Sequence, residues 1–229
     1  MSKAGIQENQ RQLIIECSTP ACSIALFDND TLLQAEHQIL GRGHAERVIP
    51  LISSFPDQGK ADKILVSLGP GSFTGVRIGI AAAQALAYAW NSKVSGYSTM
   101  ALVAATGIQD HAVKIVDGVT VAMAGGHGEW FVQNFTQDLT PSTPLESLAP
   151  EQAVKASSFE VILGTVAEDY AILRGWGSGF SFLPDARHVP LLGRQHFFSN
   201  ISPIYGREPD AKPSAAFLQS GSSQPKQHG

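Results

Sequence analysis

Cysteine is scarce in this chain of 229 residues: only Cys17 and Cys22, with four residues between them. That spacing matches neither a zinc-ligand pattern nor a CxxC redox motif, and the pair reads as reduced thiols. No lysine stands between Gly69 and Trp90, which excludes a Walker-type phosphate loop, whose Gly-Lys-Ser/Thr must reach the terminal phosphates and Mg²⁺. Positive charge is also short, with 16 Lys and Arg against 20 Asp and Glu for a net charge of -4. A free-standing nucleic-acid binder would normally carry a basic surface, so any RNA contact is expected through a partner. Long apolar runs are missing too: the longest nearly apolar stretch, residues 78–90, is interrupted by Gln84 and falls short of a bilayer span. Residues 1–12 are polar and have no apolar signal core. A soluble, cytoplasmic protein is expected.

The chain is organised around residues 64–79, where an apolar run meets a turn rich in glycine and then a long helix of small residues. Ser72 and Thr74 are both candidate N-caps for that helix. A strand, tight loop and helix in this order can aim loop amides at an anion, but the known patterns fail here. Counted from Gly69, the sixth position of a dinucleotide fingerprint is Thr74, with Gly75 one residue late. A nucleophile elbow around Ser72 would need glycine where Pro70 and Thr74 stand. Along residues 74–90, Gly75, Gly79, Ala83 and Ala87 recur every four positions and share one face, while Arg77, Gln84 and Tyr88 form a narrow polar stripe. The small-residue face admits close approach of another helix, of this subunit or a second one, or serves as the lobe's own interior. Both readings stay open.

Before this unit, residues 13–18, 22–27 and 32–38 read as three strands in a meander, and residues 43–55 as an amphipathic helix with Val48, Leu51, Ile52 and Phe55 on one stripe. Pro50 interrupts its hydrogen bonding. After it, residues 93–97 read as a strand and 98–106 as a helix capped by Ser98 or Thr99, closing a first lobe near Gly107. Residues 113–116, 119–123, 129–135 and 161–164 are strand-like, 151–157 and 167–173 helical, and 140–150 a loop. Beyond Ala216 the composition suits a disordered tail. No internal repeat is evident. Three strands, a helix and another strand form the opening of an actin-like or hexokinase-like (ASKHA) α/β fold, here expected as two lobes of mixed sheets with helices.

The run Gly69-Pro70-Gly71-Ser72-Phe73-Thr74-Gly75-Val76-Arg77-Ile78-Gly79 resembles the signature of the bacterial TsaB (YeaZ) family, related to the TsaD, Kae and glycoprotease group. Residues 21–26, 44–50 and 203–209 agree with further family stretches, and the match is good over residues 13–107. The resemblance implies a non-catalytic subunit that supports a TsaD-like catalytic subunit in forming threonylcarbamoyladenosine in tRNA. It further implies a TsaE-like ATPase as partner, a possible homodimer, tRNA contact only through the complex, and ATP and metal held by the TsaD-like partner rather than here. Catalytic, cofactor and metal residues of its own are expected to be none. The expected partner interface is Gly75, Gly79, Ala83 and Ala87 with Val48, Leu51 and Ile52. The first lobe is expected over residues 13–107 with 203–211 packing back on it, the second over 108–202, and flexible termini at 1–12 and 217–229.

Three departures bear on activity. Where the superfamily places an Asp at the end of the first strand to hold the nucleotide's metal, Glu16 stands, and its extra methylene disturbs octahedral Mg²⁺ geometry. His44 lacks the second His one turn on that TsaD carries, since Val48 occupies that position. Ala124, Gly125 and Gly126 replace the family's Asp-Ala-Arg, while Glu129 is kept. The alternative is an active ASKHA-superfamily phosphotransferase or metallopeptidase-like enzyme, and a proteolytic or chaperone adaptor is a third reading.

Overall fold

The two strands that open the chain are covered on both faces, so they read as continuous apolar runs rather than alternating ones. In the computed structural model, which describes residues 10–110, 117–157 and 159–206, β1 (Arg11–Glu16) pairs antiparallel with β2 (Ala21–Asp28), and β2 with β3 (Thr31–Ile39). α1 (His44–Ser53), β4 (Lys63–Ser67), α2 (Phe73–Trp90) and β5 (Lys93–Tyr97) follow, with β4 parallel to β1 and β5 parallel to β4. α2 starts at Ser72, whose Oγ accepts from the Gly75 amide, and ends at Asn91 in the left-handed region.

α3 (Thr99–Asp110) leads to the second sheet: β6 (Val119–Ala124), β7 (Trp130–Phe135), β8 (Glu146–Leu148), α4 (Pro150–Ala153), β9 (Val161–Leu163), α5 (Ala167–Arg174) and β10 (Ser178–Phe180). β11 (Phe197–Phe198) then returns to the first sheet, whose strand order is β11-β5-β4-β1-β2-β3, against β10-β9-β6-β7-β8 for the second. Each sheet has a hub strand, β1 or β6, with an antiparallel meander on one side and two parallel strands on the other, to which the first sheet adds the short antiparallel β11 at its edge. The two halves therefore repeat one connectivity.

α3 lies between the sheets, and Met100 to Ala105 along it are at most 2% exposed. Ile14, Phe27 and Leu65 of the first sheet and Val121, Phe135 and Leu163 of the second share its cluster. The far face of the first sheet is covered by α1 and α2, and that of the second by α4 and α5. This layered arrangement is the two-lobed ASKHA α/β fold expected from the order of elements.

Two expectations need correction. The segment following β10 does not stay with the second lobe as the range 108–202 supposed. A 3-10 turn at Ala186–Leu191 packs on α3 and on β1, β2 and β3, and Phe197 pairs with Tyr97 of β5. Ser23 Oγ accepts from the Ala186 amide at 2.9 Å, while Asp185 holds the Arg187 amide and guanidinium. The buried Ser23 hydroxyl of β2 thus anchors the strap, whose turn the Asp185 carboxylate caps from within. Residues 11 and 12, assigned to a flexible terminus, are the first rungs of β1 opposite Asp28 and Phe27.

The second correction concerns the face proposed for a partner. Gly75, Gly79, Ala83 and Ala87 are all buried, and they lie against the first sheet rather than outward. A Cβ on Gly75 would stand 2.1 Å from the Cys17 carbonyl oxygen, and one on Gly79 would stand 3.4 Å from Cys17 Cβ and 3.6 Å from Val66 Cγ2. Val48, Leu51 and Ile52 of α1 are buried in the same cluster. The small residues serve the closest approach of helix to sheet, where bulk would force the two apart. Residues 113–116, 207–211 and 217–229 lie outside the described residues.

Candidate functional site

The turn between β1 and β2 (residues 18–20), the start of α2, the second lobe's loop after β6 (residues 124–127) and residues 203–206 surround a cleft of about 950 Å³ between the lobes. Its first wall is built by close backbone packing. The Ser72 amide donates to the Ser18 carbonyl at 2.7 Å, and a Cβ on Gly71 would stand 2.2 Å from that same oxygen. Gly71 and Gly75 are therefore glycines because the chain after β1 passes directly over them. Thr99 Oγ1 donates to Ser18 Oγ at 3.0 Å and lies 2.5 Å from Ser67 Oγ, which in turn accepts from the Gly69 amide at 3.2 Å. The amides of Gly69, Ser72 and Gly75 are thus committed to protein acceptors.

Glu16 does not face the cleft. It is fully buried, its Oε1 accepts from the Ser18 amide at 2.7 Å, and its Oε2 makes no hydrogen bond. Burial raises its pKa, opposed by the Ser18 amide and the hydroxyls of Ser18, Ser67 and Tyr97. Tyr97 shares the pocket, donating to the Ile15 carbonyl at 3.0 Å, and burial holds its phenol well above the usual range. His44 is also buried, with Nε2 placed to donate to the Ala21 carbonyl at 3.2 Å, so it pins α1 to β2.

The opposite wall is the loop that departs from the family pattern. The Gly125 amide donates to the Glu129 carbonyl at 2.8 Å, the Ala124 amide to Thr165 Oγ1 at 2.8 Å, and Ser147 Oγ to Glu129 Oε2 at 2.7 Å. Residues 203–206 close one end. The Ile204 amide donates to the Leu68 carbonyl at 2.7 Å, and Arg77 donates to the Tyr205 hydroxyl at 2.9 Å while its guanidinium sits 3.4 Å from the Phe73 ring centroid. This clasp escaped the sequence reading because Arg77 and Tyr205 are 128 positions apart, although both stand in stretches already singled out.

The residues present do not fit a metal–nucleotide. The β1 carboxylate is sealed inside the lobe, and the cleft's two charged groups, Arg77 and Glu129, are engaged by Tyr205 and Ser147. Among the described residues no three His, Cys, Asp or Glu side chains gather as a metal site. No helix among the described residues is long and apolar enough to cross a membrane.

With Gly75, Gly79, Ala83 and Ala87 turned inward, the outer face of α2 is Arg77, Ala81, Gln84, Ala85 and Tyr88. Tyr88 is 92% exposed, and Ile49 on the adjacent α1 is 41% exposed.

The family model for tRNA N6-adenosine threonylcarbamoyltransferase (TsaD) matches residues 36–174, well over half of the chain. The chain belongs to this family. Within it, the TsaB (YeaZ) resemblance of the Gly69–Gly79 motif is borne out. The tRNA threonylcarbamoyladenosine biosynthesis protein TsaB of Escherichia coli is 38% identical over 95 residues, 39% of this chain and 41% of the relative. Its Bacillus subtilis counterpart is 36% identical over 100 residues, 42% of this chain and 44% of the relative. The matches thus span less than half the length of these curated relatives. YeaZ from Pseudomonas aeruginosa, at 23% identity, superposes with a TM-score of 0.72 over 86% of this chain and 99% of its own, which shows a shared fold.

Proposed function

We propose that this protein is a cytoplasmic, non-catalytic TsaB-like subunit that binds a TsaD-like catalytic subunit and supports it in forming threonylcarbamoyladenosine in tRNA. A TsaE-like ATPase joins the same assembly, tRNA is met only through the complex, and ATP and metal are held by the TsaD-like subunit. Family membership supports the pathway. The observation that carries the partner role is the outer face of α2, where the small residues Ala81 and Ala85 flank an almost fully exposed Tyr88. A nearly flat surface with one projecting aromatic suits helix-on-helix docking, since small residues permit close approach and tyrosine supplies an anchor. The same face serves a homodimer, so the two assemblies exclude one another. The sealed position of Glu16 favours this reading over an active phosphotransferase, which would need a carboxylate on the cleft.

The test compares Ala85→Arg with Ala83→Arg. Ala85 is exposed and Ala83 is fully buried, so the first should leave circular dichroism and melting unchanged while abolishing co-purification with the TsaD-like subunit. The second should unfold the chain, because an unpaired guanidinium buried in a packed core costs several kcal/mol or about that order. A folded Ala85→Arg protein that still binds the TsaD-like subunit would defeat the surface assignment.

A further inference from the structure

The only two cysteines of the chain face each other at the root of the cleft wall. β1 and β2 keep Glu16 opposite Ser23, so one step further along the register Cys17 stands opposite Cys22. Directly opposed residues on antiparallel strands have Cα atoms about 4.5–5.5 Å apart, within the roughly 4.4–6.8 Å that a disulfide spans. The thiols already point at one another, with Sγ atoms 3.8 Å apart and both side chains buried. The four residues enclosed include Ser18, Thr19 and Pro20, which line the cleft, and the Ser18 carbonyl accepts from the start of α2. A cross-link here would fasten that wall.

We propose that Cys17 and Cys22 form a reversible intramolecular disulfide on reaction with a peroxide, tethering the Ser18–Pro20 wall of the cleft. The roles of the two sulfurs are unequal. The hydrogen bond shared by the two sulfurs lowers the Cys22 pKa, against burial and the Glu16 charge and with help from the Arg47 charge, and the same hydrogen bond, with burial, raises Cys17. Cys22, the sulfur that also feels the Arg47 charge, makes the first attack, and Cys17 supplies the second thiol. The Cys22 sulfur attacks one peroxide oxygen: an S–O bond forms, the O–O bond breaks, and hydroxide leaves to take up the proton released from Cys22. The Cys17 sulfur then attacks the Cys22 sulfur: the S–S bond forms, the S–O bond breaks, and the departing hydroxide takes the Cys17 proton. Two thiols and one hydrogen peroxide become one disulfide and two waters, with each sulfur giving up one electron. Cross-links between adjacent strands are easily strained, and strained disulfides are the readily reduced ones.

The experiment treats the folded, full-length protein with graded hydrogen peroxide, blocks remaining thiols, and reads intact mass and a non-reducing peptide map. The expected product is a monomer lighter by two hydrogens, carrying a Cys17–Cys22 link and restored by dithiothreitol. With Cys17→Ser the Cys22 sulfenic acid should be trapped by dimedone, whereas Cys22→Ser should label at least about tenfold more slowly. Wild-type protein that retains both thiols when folded and links them only in urea would overturn the proposal. So would links found only between molecules. The wild-type measurement decides the matter even if either variant fails to fold.

Discussion

Replacing Gly75 or Gly79 by alanine makes the same chemical change twice on one face of α2, yet the structure requires opposite outcomes. Each substitution removes a flexible residue from a helix, which by itself favours folding by up to about 1 kcal/mol. At Gly79 the new methyl would meet Cys17 Cβ at 3.4 Å and Val66 Cγ2 at 3.6 Å, ordinary contact distances that add dispersion at no steric cost. At Gly75 it would stand 2.1 Å from the Cys17 carbonyl oxygen, which must retreat by roughly 1 Å to reach van der Waals separation. That oxygen belongs to backbone joined to the next residue, Ser18, whose own carbonyl holds the Ser72 amide at 2.7 Å. Retreat therefore strains packing, by about 1–3 kcal/mol for overpacked cores, and weakens a hydrogen bond worth about 1 kcal/mol. Set against the helix gain, Gly75→Ala should lose about 1–3 kcal/mol and Gly79→Ala should be neutral or gain up to about 1. For a chain of this size the first loss lowers Tm by about 2–12 °C. Urea unfolding followed by circular dichroism, with m unchanged, measures both. A Gly75→Ala protein as stable as Gly79→Ala would refute the backbone-contact account.

Two further outcomes concern buried carboxyls and have opposite sign. Burial raises the Glu16 pKa, so its contribution to stability is full below the ordinary glutamate range and is lost as pH rises through the folded value. Glu16→Gln should gain on the wild type over that window by up to about 1.4 kcal/mol per pH unit, read from urea midpoints across pH. A gap that does not vary with pH would sink the assignment. For Asp185, burial pushes upward, but the Arg187 side chain and amide, with Arg187 and His37 charge, hold the pKa below its ordinary value. Its contribution is then present above the ordinary aspartate range and lost as pH falls through the folded value. Asp185→Asn should cost about 1–3 kcal/mol at neutral pH and flatten that acid limb, with exchange at the Ala186 amide rising first. Unchanged exchange there would show that the strap does not depend on this carboxylate.

Much of the chain was legible in order. Residues 64–90 announced a strand, a turn and a helix because an apolar run, Gly71, a capping Ser72 and a long stretch free of proline point the same way, and α2 does begin at Ser72. Boundaries were poorer where length was short. β8 lies inside the stretch read as a loop at 140–150, since three residues between prolines carry too little alternation to register. The meander of β1, β2 and β3 followed by α1 and β4 was enough to name the fold, because few architectures bury that order of elements.

What the sequence by itself determined was which residues of α2 allow close approach: Gly75, Gly79, Ala83 and Ala87 fall on one face whatever they meet, because helical geometry fixes it. Which neighbour they meet was decided only by the tertiary structure, since a helix apolar around most of its circumference carries no mark of which side is the sheet. For Gly75 the answer is the Cys17 backbone and for Gly79 the Cys17 and Val66 side chains, with Cys17 brought there by β1 from more than fifty residues away. The strap from Asp185 to Phe198 was hidden for the same reason, as its anchors Ser23 and Tyr97 are remote in sequence and ordinary in type. The repeated connectivity of the two sheets left no trace in the letters either. A strand needs only apolar side chains of suitable size on the covered face, so two halves can keep one path through space while sharing no recognisable sequence.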